Sequence, residues 1–186
     1  MDLIRVKDLM VPLDEYATVS EDATLYDAVT ALEEAQERLD RTMHKYLHRA
    51  VLVLDGDKNV VGKISQLDVL KALEPRYKGI GDTSSLSRAG FSPEFLKSMM
   101  EHQKLWTTSL IDICSKAARI NVRNFMHTPT EGEYIDEDAP LEEAMHMLVM
   151  GNHHSLLVAG EGRITGILKL TDVFAAIYDL IRKCPI

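Results

Sequence analysis

The chain has little cysteine, no long apolar run and a shortage of basic charge. Its two cysteines, Cys114 and Cys184, form neither a metal-ligand spacing nor a disulfide framework, so a reducing cytoplasm is the simplest compartment. No apolar stretch approaches the length of a membrane span. The opening MDLIRVKDLM mixes acidic and basic residues and lacks the apolar core of a signal peptide. Lys and Arg number 21 against 29 Asp and Glu, for a formal net charge of −8. That balance excludes the clustered cations that nucleic acids and anionic membranes require, and neither is expected as a partner. What remains is 186 residues, 46% hydrophobic, enough to bury a core in one compact domain or two small halves.

The chain repeats itself. Residues 4–32 align without a gap on residues 120–148 at an offset of 116, and ten of the 29 positions are identical. Chance would give roughly two. The shared residues include Val6 and Val122, Met10 and Met126, Asp22 and Asp138, and Ala28 and Ala144. Farther on, GKISQLDVL (62–70) pairs with GILKLTDVF (166–174) at an offset of 104, so the first copy carries 12 more residues. These extra residues are placed within ERLDRTMHKYLHR, 37–49, read as an extension of a helix and its exit loop.

Each copy has the same order of elements. Leu25, Ala28, Val29 and Leu32, echoed by Leu141, Ala144, Met145 and Leu148, recur at helical spacing behind an acidic helix start. Two short apolar runs joined by Asp, Gly and Asn then predict a β-hairpin, AVLVL with VVGKIS in one copy and SLLVA with RITGILK in the other. A closing helix follows. Each unit is too small to bury much surface alone, so the two are expected to pack together.

A V-x-x-x-M opening (Val6–Met10, Val122–Met126), an acidic D-A-x-L-x-x-A helix start (Asp22–Ala28, Asp138–Ala144) and a closing G-h-x-[ST]-x-x-D (Gly62–Asp68, Gly166–Asp172) resemble the cystathionine β-synthase (CBS) domain, here as a tandem pair or Bateman module. The resemblance implies an α/β (α+β) fold of two pseudo-twofold-related repeats, each a small sheet with two helices. Residues 1–74 would form repeat 1, 75–119 a loop and helical insert, and 120–186 repeat 2. It further implies a regulatory module, not an enzyme, that binds an adenosyl compound (AMP, ADP, ATP or S-adenosylmethionine) in the clefts between repeats, needs no cofactor, and pairs into a homodimer. The regulated protein is not visible in the sequence.

Ser65 and Asp68 have two readings. A carboxylate in the first turn of a helix accepts hydrogen bonds from both ribose hydroxyls, while a Ser hydroxyl and helix-start amides meet a phosphate; the resemblance gives Asp68 the ribose and Ser65 the phosphate. The same spacing is that of a capping box. In the second copy Lys169 replaces the Ser or Thr while Asp172 remains, so the box is broken. Asp172 is then either a ribose ligand or a favourable charge at the helix start, with Thr171 as an alternative cap. Lys169 either pairs with phosphate as a point charge or is a solvated side chain. By resemblance, Thr18, Tyr134, Ala50, Val51, His154 and Ser155 line the base and phosphates. His153 and His154, as strand neighbours, would face opposite ways and not chelate one metal.

Other motifs fail on inspection. GDKNVVGK (56–63) has five residues between its glycines, and Ile64 stands where a P-loop needs Ser or Thr. His44 and His48 have zinc-pair spacing but no third ligand, and are read as a solvated helix face. No nucleophile and base occur together. In the insert, Ser92-Pro93-Glu94 predicts a helix start, with Phe95, Met99, His102 and Trp106 near helical spacing and a second helix over 109–119. The insert would serve dimer or partner contacts, or cover its own module. An interaction protein without a ligand is the alternative function.

Overall fold

The computed structural model describes residues 3–39, 42, 46–79 and 90–184. Repeat 1 contributes β1 (Val11–Pro12), β2 (Thr18–Ser20), α1 (Leu25–Arg38), β3 (Ala50–Leu54), β4 (Val60–Ser65) and α2 (Gln66–Leu73). The insert holds α3 (Pro93–His102) and α4 (Leu110–Ala117). Repeat 2 contributes β5 (Tyr134–Asp136), α5 (Leu141–Gly151), β6 (Ser155–Gly160), β7 (Arg163–Lys169) and α6 (Leu170–Lys183). The expected two-repeat α/β architecture is present.

Local chemistry explains the elements. Thr24 and Asp27 cap α1 reciprocally: the Thr24 amide donates to Asp27 Oδ2 (2.8 Å) and the Asp27 amide to Thr24 Oγ1 (3.3 Å). In the β3–β4 turn, Asp55 Oδ1 accepts from the amides of Asp57 (2.9 Å) and Asn59 (2.8 Å), so the glycine-bearing GDKN is hairpin turn. Helix α3 starts at Pro93 behind Ser92, whose hydroxyl oxygen accepts from the Phe95 amide (3.2 Å). It ends at His102, so Trp106 lies beyond it, in the left-handed region at φ 56°.

Two sheets result, with strand orders β2-β3-β4 and β1-β7-β6-β5. In each repeat the strand before the long helix pairs in parallel with the first hairpin strand, β2 with β3 and β5 with β6. The opening segments are exchanged. β1 of repeat 1 pairs with β7, Val11 opposite Ile167, and its counterpart His127 bridges to Lys63 on β4. The Val6 amide donates to Ala139 O (3.0 Å) and, across the pseudo-twofold, Val122 to Ala23 O (2.9 Å). The conserved pattern of the two copies thereby acquires a reason. Met126 lies against Gly62, and Met10 and Val11 against Gly166, where an added Cβ would meet the Val11 carbonyl oxygen at 2.5 Å. Each hairpin glycine makes room for the other repeat's opening segment.

Three of the four apolar clusters among the described residues follow from these sheets. One lies inside each repeat, around Val53, Ile64 and Val122 in the first and Leu156, Leu168 and Val6 in the second. The third, Val11, Tyr16, Leu52, Leu157 and Ile167, joins the repeats. Val122 and Val6 are fully buried in the core of the repeat to which they do not belong in sequence. At about 25 cal/mol per Å² of apolar area, such burial makes the exchange a main tie between the halves.

The insert is anchored to its own module. Glu74, after α2, is buried; Arg76 Nε and Nη2 donate to its two oxygens at 2.7 Å each, and the Trp106 amide to Oε2 at 2.9 Å. The Arg76 hydrogen bonds lead in holding the Glu74 carboxyl below its ordinary range. Ala117 of α4 packs against Leu25 and Ala72. Residues 80–89 lie outside the described residues.

Candidate functional site

The closing motifs fall where strand β4 or β7 becomes a helix. Along β4, Ile64 faces the repeat 1 core, so strand alternation puts Lys63 and Ser65 on the opposite face. Lys63 reaches repeat 2, donating to Glu133 Oε2 (2.8 Å) and Ser155 Oγ (3.4 Å). Ser65 therefore looks toward the cleft between repeats. Of the two readings of Ser65 and Asp68, the capping box is the one formed. The Ser65 hydroxyl and amide donate to Asp68 Oδ2 (2.6 and 2.9 Å), and the Asp68 amide donates back to Ser65 Oγ (3.2 Å), which is a complete capping box. All carboxylate bonds of the box fall on Oδ2, and Asp68 is half-buried. Oδ1 stands outside the box.

The equivalent place in repeat 2 differs. Lys169, expected either to meet phosphate or to lie in solvent, is buried: its ammonium donates to Tyr46 O (2.9 Å) and pairs with Asp172 Oδ2 (3.2 Å), with side-chain exposures of 6% and 10%. Lys169 is the N-cap residue of α6 without a side-chain cap bond, and Thr171 lies inside the first turn, so Thr171 does not replace the missing cap. Tyr16 packs on His48 with ring centroids 4.4 Å apart. Burial, and then the Asp172 charge, push the Tyr16 phenol above its ordinary range, against backbone hydrogen bonds of Ala50 and Arg49. His48 is fully buried and outside any helix, correcting its reading as a solvated helix face; His44 lies outside the described residues. Helix α1 stops at Arg38, so the residues described between Tyr46 and Arg49 form exit loop and not helix.

The remaining candidates divide. Ala50 opens β3 directly opposite Ser65. Val51 packs in the repeat 1 core, so its side chain is turned from the cleft and only its backbone is available. Thr18 and Tyr134 open the equivalent strands β2 and β5, both half-buried, and Tyr134 borders the cluster that joins the repeats. Ser155, buried, opens β6 opposite Lys169. His153 and His154 precede β6 instead of lying in it; His153 folds over Gly151, and His154 is exposed, its carbonyl accepting from the Leu170 amide (3.0 Å).

A polar cluster at the repeat interface was not anticipated. Glu133 accepts from Lys63, from the Thr130 amide (3.1 Å) and from His127 Nε2 (2.5 Å). Burial pushes the Glu133 carboxyl up, but the bonds from Lys63, His127 and Thr130 outweigh it and hold the carboxyl at about 2. The repeat alignment contained a sign of it: Glu133 aligns with Ala17, Lys63 with Ile167 and His127 with Val11, so one copy is charged or polar where the other is apolar.

Among the described residues no group of three or more His, Cys, Asp or Glu is placed to hold a metal ion, and no helix is long and apolar enough to cross a membrane. Comparison with curated proteins gives no match. Among solved structures, the chain is similar to CBSX2 from Arabidopsis thaliana, 20% identical with a TM-score of 0.60 over 98% of this chain and 100% of that one. A structure of CBSX2 in complex with AMP is 22% identical with a TM-score of 0.58, covering 95% of this chain and 97% of that one. Protein MJ1004 from Mathanocaldococcus jannaschii is 18% identical with a TM-score of 0.58; 95% of this chain aligns, but it spans only 60% of that protein. The CBS domain profile matches residues 6–75 and 122–179, and the chain belongs to the CBS domain family as a tandem pair.

Proposed function

We propose that the chain is a regulatory module that binds an adenosyl compound in the cleft at Asp68. The observation that carries this is the half-buried Asp68 carboxylate at a helix start, beside Ser65 on the strand face from which Lys63 reaches the other repeat, with Oδ1 outside the capping box. A ribose diol supplies two donors that such a carboxylate accepts, and Ser65 with the first amides of α2 stands beside it for a phosphate or another polar group. CBSX2 has been solved with AMP, which supports testing AMP first. We read the module as sensing and not catalysing: among the described residues the buried carboxylates Glu74 and Glu133 are held by structural partners. Occupancy would be transmitted by a changed fit between the repeats, which requires different affinities for two arrangements.

A second copy of the chain is the expected partner. Helix α6 leaves Leu170, Phe174, Tyr178 and Ile181 exposed in one stripe, and α5 leaves Val149 and Met150. Apolar residues at that spacing on helices of the module suit a helix-to-helix dimer. The insert, tied down by Glu74 and Ala117, has the character of a cover for its own module, although Phe95, Met100 and Ile111 remain exposed.

The test is a calorimetric and thermal-shift panel of AMP, ADP, ATP, S-adenosylmethionine and NAD on the wild type and Asp68→Ala. At least one adenosyl compound is expected to bind the wild type and to lose roughly tenfold or more in affinity in the variant. No binding by any of them would favour the interaction protein without a ligand.

A further inference from the structure

We infer that the cleft at Asp172 is filled by the chain itself, so that each chain takes up a single adenosyl ligand, at Asp68. The inference rests on the proposed function for the open cleft, and on three contrasts between pseudo-twofold mates.

The first is the ion pair. Asp172 occupies the place of Asp68, but its Oδ2 faces the Lys169 ammonium at 3.2 Å, and that ammonium also donates to Tyr46 O. Both side chains are nine-tenths buried or more. A ribose diol brings two neutral donors. A diol that used Oδ2 would displace a buried cation, and separating two buried charges is more costly than neutral hydrogen bonds can offset; at 10% side-chain exposure the rest of the carboxylate offers a diol little surface. The second contrast is steric. Tyr16 is nearly fully buried, with its ring on His48 and the Asp172 charge close to its phenol. Its mate in the alignment is Gly132, where an added Cβ would meet nothing within 4 Å. The Asp172 side thus carries an aromatic ring at a position where the other repeat has a glycine with no neighbour in the way. The third is local support. The His48 carbonyl accepts from Gln36 Nε2 (2.7 Å), which ties this part of the exit loop to α1. The structural counterpart of His48, two residues before β6, is His153, which is only half-buried and folds over its own Gly151. Lys169, Tyr16 and His48 thus act together as an internal ligand, and the two repeats differ in function though not in fold.

Two readouts test this. In the wild type, brief acylation with acetic anhydride followed by mass spectrometry should modify Lys169 at least tenfold more slowly than the exposed Lys183; equal rates would overturn the inference whether or not a nucleotide binds. Calorimetry with AMP should give one site per chain, lost in Asp68→Ala. Two sites, one surviving Asp68→Ala, would overturn the inference and leave the proposed function standing. No AMP binding would count against the proposed function, while the acylation rates would still decide the state of the Asp172 cleft. Finally, Tyr16→Gly with Lys169→Ser, the residues of the open cleft, placed in the Asp68→Ala background and checked for folding by circular dichroism, should restore one AMP site. If the folded triple variant binds none, the proposed plug is not what keeps the cleft from AMP. Should the triple variant not fold, Lys169→Ser alone in the Asp68→Ala background is read in the same way.

Discussion

Glu133 shows how a single side chain carries pH dependence here. Its carboxyl titrates at about 2 in the folded protein against an ordinary value of 4.5, so the folded state binds the proton less readily than the unfolded one. The stabilisation is present above about 4.5 and is lost as pH falls toward 2. It amounts to at most about 3 kcal/mol from the size of the shift. Glu133→Gln is expected to lower stability at pH 7 and to flatten the decline between pH 5 and 3 in urea titrations; an unchanged slope would remove Glu133 from the account. Asp68 illustrates a different economy, since one oxygen closes a helix cap and the other lies outside it. Ser65→Ala should cost about 1 kcal/mol through the cap, read as a fall in Tm. The sequence made Ser65, Asp68 and Asp172 visible because their motif is local. It showed that Lys169 departed from the pattern, but the fate of its ammonium depends on Tyr46, a residue 123 positions away that meets it only in the fold.

At the level of elements, the exchange of opening segments is the feature that defines the molecule. Strands, hairpins and helices were legible from alternation, turn residues and helical spacing. The partner of β1 was not, because periodicity fixes which residues share a face and says nothing of which sheet receives them. The glycines in the closing motifs are explained only by that exchange. Gly166→Ala would drive a methyl into the Val11 backbone carbonyl, which is held by β pairing, whereas Gly62→Ala meets the flexible Met126 side chain. Gly166→Ala is therefore expected to lower Tm more than Gly62→Ala, by roughly 1–3 kcal/mol of overpacking against less than that; the reverse order in thermal melts would contradict the assigned contacts. In the loop before β3, His48 was assigned to solvent, since nothing in the local sequence shows that Tyr16 provides a buried ring for it.

For the whole molecule, the proposed function and the filled Asp172 cleft together would make a sensor that reads one ligand against a fixed internal reference. The stripe on α6 belongs at this scale. Phe174→Asp, at an exposed position, should leave the fold intact and weaken self-association roughly tenfold or more in sedimentation experiments; unchanged association would place the dimer surface elsewhere. The insert is joined to the module through Glu74, so Glu74→Gln should loosen the Trp106 turn and shift the emission of the lone tryptophan to longer wavelength. The most direct measurement is the crystal structure of the chain with the adenosyl compound that the binding panel selects. The account predicts the ribose hydroxyls on the Asp68 carboxylate, with Lys169 still paired to Asp172 in the other cleft. A ligand seated at Asp172, or held without contact to Asp68, would contradict it.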